Sequence, residues 1–331
     1  MRSFKRVIAA IVLFAVFFCL FVFLLLTAFF RYSDDTPSRK ALAGTLDTLI
    51  CGASTAERAI IPDRMDEILG TNTYNLSTVW QGLDGTKALL EQELKRNPGI
   101  KNVLLVLSDA TLAHLKGGSS YVRYLYTASR LGDYPSRIEY LKGKNIPAVI
   151  LSGMYFGTQR FYGLWRGNDN HRGYFPCTSV DVRLTAKKAV QVQASLTFDT
   201  RQDAENMRLL DDIITMLKER DIRIAIAVMP YSDAMVWQYD NWQELEDMFL
   251  SVCERYGIPF ADFNLLQNRY ELFSDKRSYS DETHLCSTGA EAFMPVFTEV
   301  FPRLMAGEDI SAYFFDSYGS MMRSSPYRTE G

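Results

Sequence analysis

The chain has 331 residues, of which 47% are hydrophobic, 23% charged and 13% aromatic, with 20 Gly, 11 Pro and 5 Cys. This apolar fraction supports a packed core and excludes a disordered chain, while average Gly and Pro use excludes collagen-like and low-complexity architectures. A formal charge of −3 excludes a broadly basic nucleic-acid binder, and five cysteines over this length do not make a disulfide scaffold.

Arg2, Lys5 and Arg6 precede Val7–Phe30, a run without a charge, a Pro or a Gly. As a helix the run is about 36 Å long, enough to cross a hydrocarbon core of about 30 Å with some tilt. The downstream flank mixes Asp34 and Asp35 with Arg39 and Lys40, so the charge bias predicts a cytoplasmic N-terminus with the remaining chain outside. A cleaved signal peptide is the rival reading, but its apolar region spans about 7–15 residues and ends at a small-residue site. Thr27-Ala28-Phe29-Phe30 is a poor site of that kind. Cys19 lacks the small neighbours of a lipoprotein box and reads as membrane filler. Beyond residue 30 the chain holds 33 Lys+Arg against 39 Asp+Glu, a balance of −6 that gives no general attraction to anionic lipid. Cys51, Cys177, Cys253 and Cys286 read as free, mostly buried thiols, with two disulfides as the alternative.

Residues 31–45 are polar and without a strong period, as in a short linker. Asp47–Gly52 reads as a short buried strand ending in a glycine turn, followed by a helix over Glu57–Leu69 interrupted at Pro62. Tyr74–Leu76 is a short extended piece. Thr86–Arg96 carries Leu89, Leu90 and Leu94 on one face and predicts an amphipathic helix stopped by Asn97-Pro98-Gly99. Val103–Leu107 is an apolar run of the kind found in central parallel strands. Residues 111–200, rich in Tyr, Gly, Arg and Ser, read as an insertion or cap, with Ile146–Leu151 as one further strand. Asp203–Arg220 is a helix, Ile222–Val228 a buried strand, Trp242–Tyr256 a helix stopped by Gly257, and Pro259–Phe263 a short strand. A helix over Gly289–Leu304, broken near Pro302, ends the pattern, and the stretch from Gly307 reads as surface. The alternation implies an α/β fold with a parallel sheet and helices on both faces, in which sites gather beyond the C-terminal strand ends.

Histidine is scarce: only His114, His171 and His284. The last lies in Ser280-Asp281-Glu282-Thr283-His284-Leu285-Cys286-Ser287-Thr288-Gly289, where a carboxylate three residues before an imidazole can fix its tautomer and support its cation. Cys51-Gly52-Ala53-Ser54 places a hydroxyl just after the first strand, at the start of a helix, where backbone N–H groups can stabilise an oxyanion. Other readings of these residues stand beside this one. Ser54 can be a helix N-cap. Asp281, His284 and Cys286 have a spacing that allows metal ligation. Cys51 can be core packing or a nucleophile of its own. His171 reads as a solvated loop residue and His114 as structural. Asn75-Leu76-Ser77 spells a glycosylation sequon, and Tyr155, Phe156, Phe161, Tyr162 and Trp165 can pack or stack on sugar rings.

Gly52-Ala53-Ser54 near the start and Asp281-Glu282-Thr283-His284 near the end resemble the first and last blocks of SGNH (GDSL-type) hydrolases. Tyr74-Asn75-Leu76-Ser77, and the Asn206 helix leading to the Ile222–Pro230 strand, look more specifically like membrane-anchored, DltD-like members that act on cell-envelope polymers. The resemblance covers about residues 46–304. It implies a three-layer α/β/α sandwich with a parallel, flavodoxin-like (SGNH-type) sheet, with Ser54 as nucleophile, His284 as general base and Asp281 as its orienting partner. It implies oxyanion donors at Ser54 and Gly82. The family's third donor, an Asn after the third strand, is missing, since Val103–Leu107 is followed by Ser108-Asp109; Gly167-Asn168-Asp169 is the one similar triplet. The expected organisation is a cytoplasmic tail (1–6), a transmembrane signal anchor (7–30), a linker (31–45), an SGNH-hydrolase-like domain (46–304, with 111–200 as insertion or cap) and a C-terminal tail (305–331). The expected activity is that of an extracytoplasmic serine esterase or O-acyltransferase on acyl esters of an envelope polysaccharide or teichoic-acid-like polymer. An integral-membrane acyl-transfer protein is the implied partner, and no cofactor is implied. The alternative is a non-catalytic binding or assembly module on the same fold.

Overall fold

The computed structural model describes residues 2–33, 36–112, 119–145, 147, 149, 171–177, 196–273 and 277–326. The strand expected at 146–151, His114, the 167–169 triplet and the aromatic group from Tyr155 to Trp165 lie outside these residues. The chain forms two compact units, one of residues 1–37 and 116–169 and one of residues 38–115 and 170–331.

In the first unit, α1 (Arg2–Ser33) contains a segment from Phe4 to Leu24 with mean hydropathy 3.3, long and apolar enough to cross a membrane. Apart from Val22, its side chains in that segment are exposed. The unit also contains α7 (Ser119–Arg130), which packs along α1, and α8 (Tyr134–Leu141), capped by the Asp133 carboxylate accepting from Ser136 N–H. Leu125, Ala128 and Val149 form its small core.

The second unit is built on five parallel strands in the order β2-β1-β3-β4-β5. These are β1 (Thr48–Cys51), β2 (Thr73–Asn75), β3 (Asn102–Leu107), β4 (Arg223–Val228) and β5 (Phe260–Asp262). Strands β1, β2 and β3 are buried throughout, as strands covered on both faces must be. The longest pairing runs from Asn102↔Arg223 to Leu107↔Val228. Parallel pairing sends every C-terminal strand end to one rim, so the segments after Cys51, Asn75, Leu107, Val228 and Asp262 meet there.

Pro62 divides the predicted Glu57–Leu69 helix, and the structure makes it two: α3 (Ser54–Ala59) and α4 (Pro62–Leu69), with Pro62 in the first turn of α4, where a missing N–H costs nothing. The stretch read as a linker contains a helix, α2 (Thr36–Ala41). Between the strands lie α5 (Leu83–Arg96), α6 (Asp109–Leu112), α9 (Ala204–Lys218, capped by Asp203), α10 (Asp233–Gln238) and α11 (Trp242–Tyr256, ended by Gly257 at φ 59°). Helix α5 packs with α9, whereas α13 (Ser287–Ala306) packs with α3 and α4. The short α12 (Arg269–Leu272) lies between β5 and α13.

Two expectations are corrected here. Pro302 does not break the last long helix, which continues to Ala306. An interior proline costs about 3 kcal/mol, but Phe293, Phe297 and Phe301 on that helix are all buried, each contributing about 1.5–3 kcal/mol. The stretch after Gly307 is not all surface. It forms α14 (Tyr318–Arg323), whose Tyr318 and Met321 are buried. The Tyr318 hydroxyl donates to Asp262 Oδ2 at 2.7 Å, and its ring stacks on Trp242 at 5.3 Å.

Candidate active site

Strand β1 delivers the first site residue. Gly52 follows it, and a Cβ there would lie 2.7 Å from the Val106 carbonyl oxygen, so only glycine lets the chain leave β1 pressed against β3. Ala53 is the N-cap of α3 and makes no side-chain cap; Ser54 is the first helical residue. The capping reading of Ser54 therefore fails: its hydroxyl is spent elsewhere, 2.7 Å from His284 Nε2. Cys51 lies in the core, where burial pushes its thiol up, and it is no nucleophile at the rim.

The His284 loop is a tight hairpin. Tyr279 bridges Leu285, Ser280 N–H donates to the His284 carbonyl at 2.9 Å, and Cys286 N–H donates to that of Ser278 at 3.0 Å. Residues 281–284 form its tip. At the start of α13 a Cβ on Gly289 would lie 2.0 Å from the Ser278 carbonyl oxygen, so this glycine permits the helix to seat on the hairpin. The spacing from Asp281 to Gly289 thus has a mechanical basis.

His284 Nδ1 lies 2.7 Å from Asp281 Oδ1 and 2.9 Å from Oδ2. Thr283 donates to Oδ1 through its N–H at 2.9 Å and its hydroxyl at 3.0 Å. Partial burial opposes ionisation of Asp281, but the bonds and charge of His284 and the two Thr283 donors outweigh it and hold the carboxyl well below the usual carboxylate range. An ionised carboxylate only accepts, so Nδ1 carries the ring proton and Nε2 is left to accept from Ser54. Ser54, His284 and Asp281, separated by more than 220 residues of chain, are therefore joined in one hydrogen-bonded line.

Gly82, the predicted second oxyanion donor, is buried at the N-cap of α5. Its neighbours Gln81 and Leu83 line a small cavity of about 10 Å³, together with Gly52 and the end of β3. Ser108 follows β3 directly, and its N–H and hydroxyl are both engaged with Thr111 Oγ1, at 2.8 and 2.9 Å. Cys286 donates its thiol to the Arg277 carbonyl and both His284 nitrogens have protein partners. Among the described residues no three His, Cys, Asp or Glu side chains converge on one point as a metal would require.

The sequon is sealed: Asn75 is fully buried, and its amide donates to the Ala56 and Ile60 carbonyls at 2.9 and 3.3 Å. His171 is half-buried in a turn closed by Tyr174 N–H on its carbonyl. Cys19, Cys51, Cys253 and Cys286 are free thiols.

Three residues near the triad had no assigned role from sequence: Thr283, Ser232, which holds the Glu282 carbonyl, and Arg58, which reaches Asp281 Oδ2 at 3.4 Å. Arg58 stands four residues after Ser54, a spacing that shares a helix face, but that signal needs α3 to begin at Ser54 and not at Glu57. No protein-family model matches the chain, and no curated protein matches it. What can be read of function comes from this geometry.

Proposed function

We propose that this chain is a membrane-anchored, extracytoplasmic serine esterase or O-acyltransferase of SGNH type, acting on acyl esters of a cell-envelope polysaccharide or teichoic-acid-like polymer. The observation that carries the reading is the Ser54–His284–Asp281 line at the C-terminal rim of a parallel sheet. The strand order 2-1-3-4-5 and the two helix groups, α5 with α9 and α13 with α3 and α4, support a flavodoxin-like three-layer α/β/α arrangement. The apolar α1, preceded by basic residues, supports a single-pass anchor with its N-terminus cytoplasmic. An integral-membrane acyl donor is the partner such an anchor suits.

In this reading the Ser54 hydroxyl gives its proton to His284 Nε2 as its oxygen attacks the ester carbonyl carbon. The N–H groups of Ser54 and Gly82 receive the developing oxyanion. The intermediate collapses by breaking the bond to the leaving alcohol, which takes the proton from His284 and leaves acyl-Ser54. Water or an acceptor hydroxyl then gives its proton to His284 as it attacks the acyl carbon; the acyl–Ser54 bond breaks, and the Ser54 oxygen takes the proton back from His284. A missing oxyanion donor costs about 10²–10³ in rate, so the engaged Ser108 implies slow turnover of simple esters.

The test is labelling of the full chain with a fluorophosphonate probe. Labelled wild type and unlabelled Ser54→Ala support the enzyme. A folded wild-type protein that takes no label favours the non-catalytic binding or assembly module, to which the engaged Ser108 also points.

A further inference from the structure

We propose that Arg58 is a positioning residue of this site, fixing Asp281 against the nucleophile helix and limiting how strongly Asp281 supports a proton on His284; the proposal rests on the hydrolase reading above. Arg58 and Ser54 lie one turn apart on one face of α3. Arg58 Nη1 reaches Asp281 Oδ2 and Ser280 Oγ, both at 3.4 Å, so one guanidinium holds two consecutive residues of the hairpin. The guanidinium carbon lies over the Phe175 ring, 5.9 Å from its centre. The two carboxylate oxygens have different surroundings: Oδ1 takes both Thr283 donors and the shorter bond to the imidazole, while Oδ2 faces Arg58.

The pair makes little sense as a stabilising device. The Asp281 side chain is 47% exposed, and ion pairs exposed to that degree contribute little to folding. Arg58 Nε is buried and meets no acceptor, which is a cost. What the pair does is place a guanidinium beside the same carboxylate oxygen that the imidazole reaches at 2.9 Å. A cation beside Oδ2 offsets part of the charge that would otherwise stabilise a protonated His284. Among the described residues no other Lys or Arg side chain pairs with this carboxylate, which otherwise meets only His284 among the titratable groups. Glu57 is buried on α3, the Glu282 carboxylate meets Gln238 at 3.5 Å, and Glu291 of α13 is paired with Arg64 at 3.1 Å.

The experiment uses the full chain in detergent and compares wild type, Arg58→Gln and Arg58→Lys after thermal melts establish that each is folded. Two readouts are taken: the pH dependence of kcat/KM for p-nitrophenyl acetate, and the low-field proton resonance of the His284 Nδ1–H hydrogen bond. In Arg58→Gln the acid limb should move up by about half a pH unit or more, because the unopposed carboxylate lets the ring hold its proton longer. The chemical shift of that resonance, which changes between the imidazolium and the neutral ring, should have a correspondingly higher pH midpoint. Arg58→Lys should restore the wild-type limb even if its plateau is lower. An Arg58→Gln protein with a lower plateau but unmoved limb and resonance would overturn the proposal, leaving only a structural contact. If wild type turns over no ester, the hydrolase reading fails by itself and the resonance comparison still decides the role of Arg58.

Discussion

Ser232 gives two hydrogen bonds to one acceptor: its N–H and its hydroxyl both reach the carbonyl oxygen of Glu282, at 3.1 and 2.8 Å. The segment that leaves β4 therefore holds the tip of the His284 hairpin by its backbone, between Asp281 and His284. The same hydroxyl oxygen accepts from Met235 N–H at 3.2 Å and caps α10. Ser232→Ala should lose about 1 kcal/mol of stability through the cap. On the hydrolase reading it should also lower kcat/KM about tenfold or more through a loosened hairpin. Denaturant titration beside ester kinetics separates the two effects, and unchanged kinetics would show that the N–H bond alone suffices.

Gly289→Ala tests the seat of α13. The added methyl would enter the space of the Ser278 carbonyl, so helix or hairpin must shift, at a cost of about 1–3 kcal/mol or more. The expected outcome is a lower urea midpoint together with loss of fluorophosphonate labelling, although no triad residue is touched. Normal labelling would mean that the hairpin absorbs the shift away from its tip.

Stability should depend on pH through Glu246. Burial, then the nearby Asp262 and Asp247 charges, push its carboxyl up to about 8. The folded chain thus keeps a proton that the unfolded chain releases near pH 4.3. Protons bound to the folded state in excess make stability fall as pH rises, here between about 4.3 and about 8, with no further change above. Asp262, also shifted upward chiefly by burial, acts in the same direction. Glu246→Gln should flatten the slope of unfolding free energy across that window; an unaltered slope would assign it to other groups.

Tyr318→Phe tests whether the C-terminal segment is structural. The change leaves Asp262 Oδ2 without the Tyr318 donor beneath a stacked ring, and should cost about 1–3 kcal/mol in urea denaturation. A neutral result would show that the stacking on Trp242 alone holds α14 in place.

Much of this protein could be read along the chain, because the physics involved is local. An uncharged apolar run long enough to span a bilayer, buried strands such as Val103–Leu107, and a helix ended at Gly257 each follow from the side chains of neighbouring residues. The Asp281–His284 pair was legible for the same reason: a three-residue spacing puts a carboxylate within reach of a ring. Other features have no local signature. Tyr318 is buried because its hydroxyl meets an aspartate 56 residues away. Pro302 is tolerated because the aromatic face of its helix has a core to fill. Ser54 meets His284 because parallel pairing sends all five strand ends to one rim, and Arg58 reaches Asp281 because α3 begins at that rim. Composition and periodicity determine which segments fold and in what form. Which distant side chains then share a hydrogen bond is decided only when the sheet closes, since the contact energy depends on coordinates that no single stretch of sequence contains.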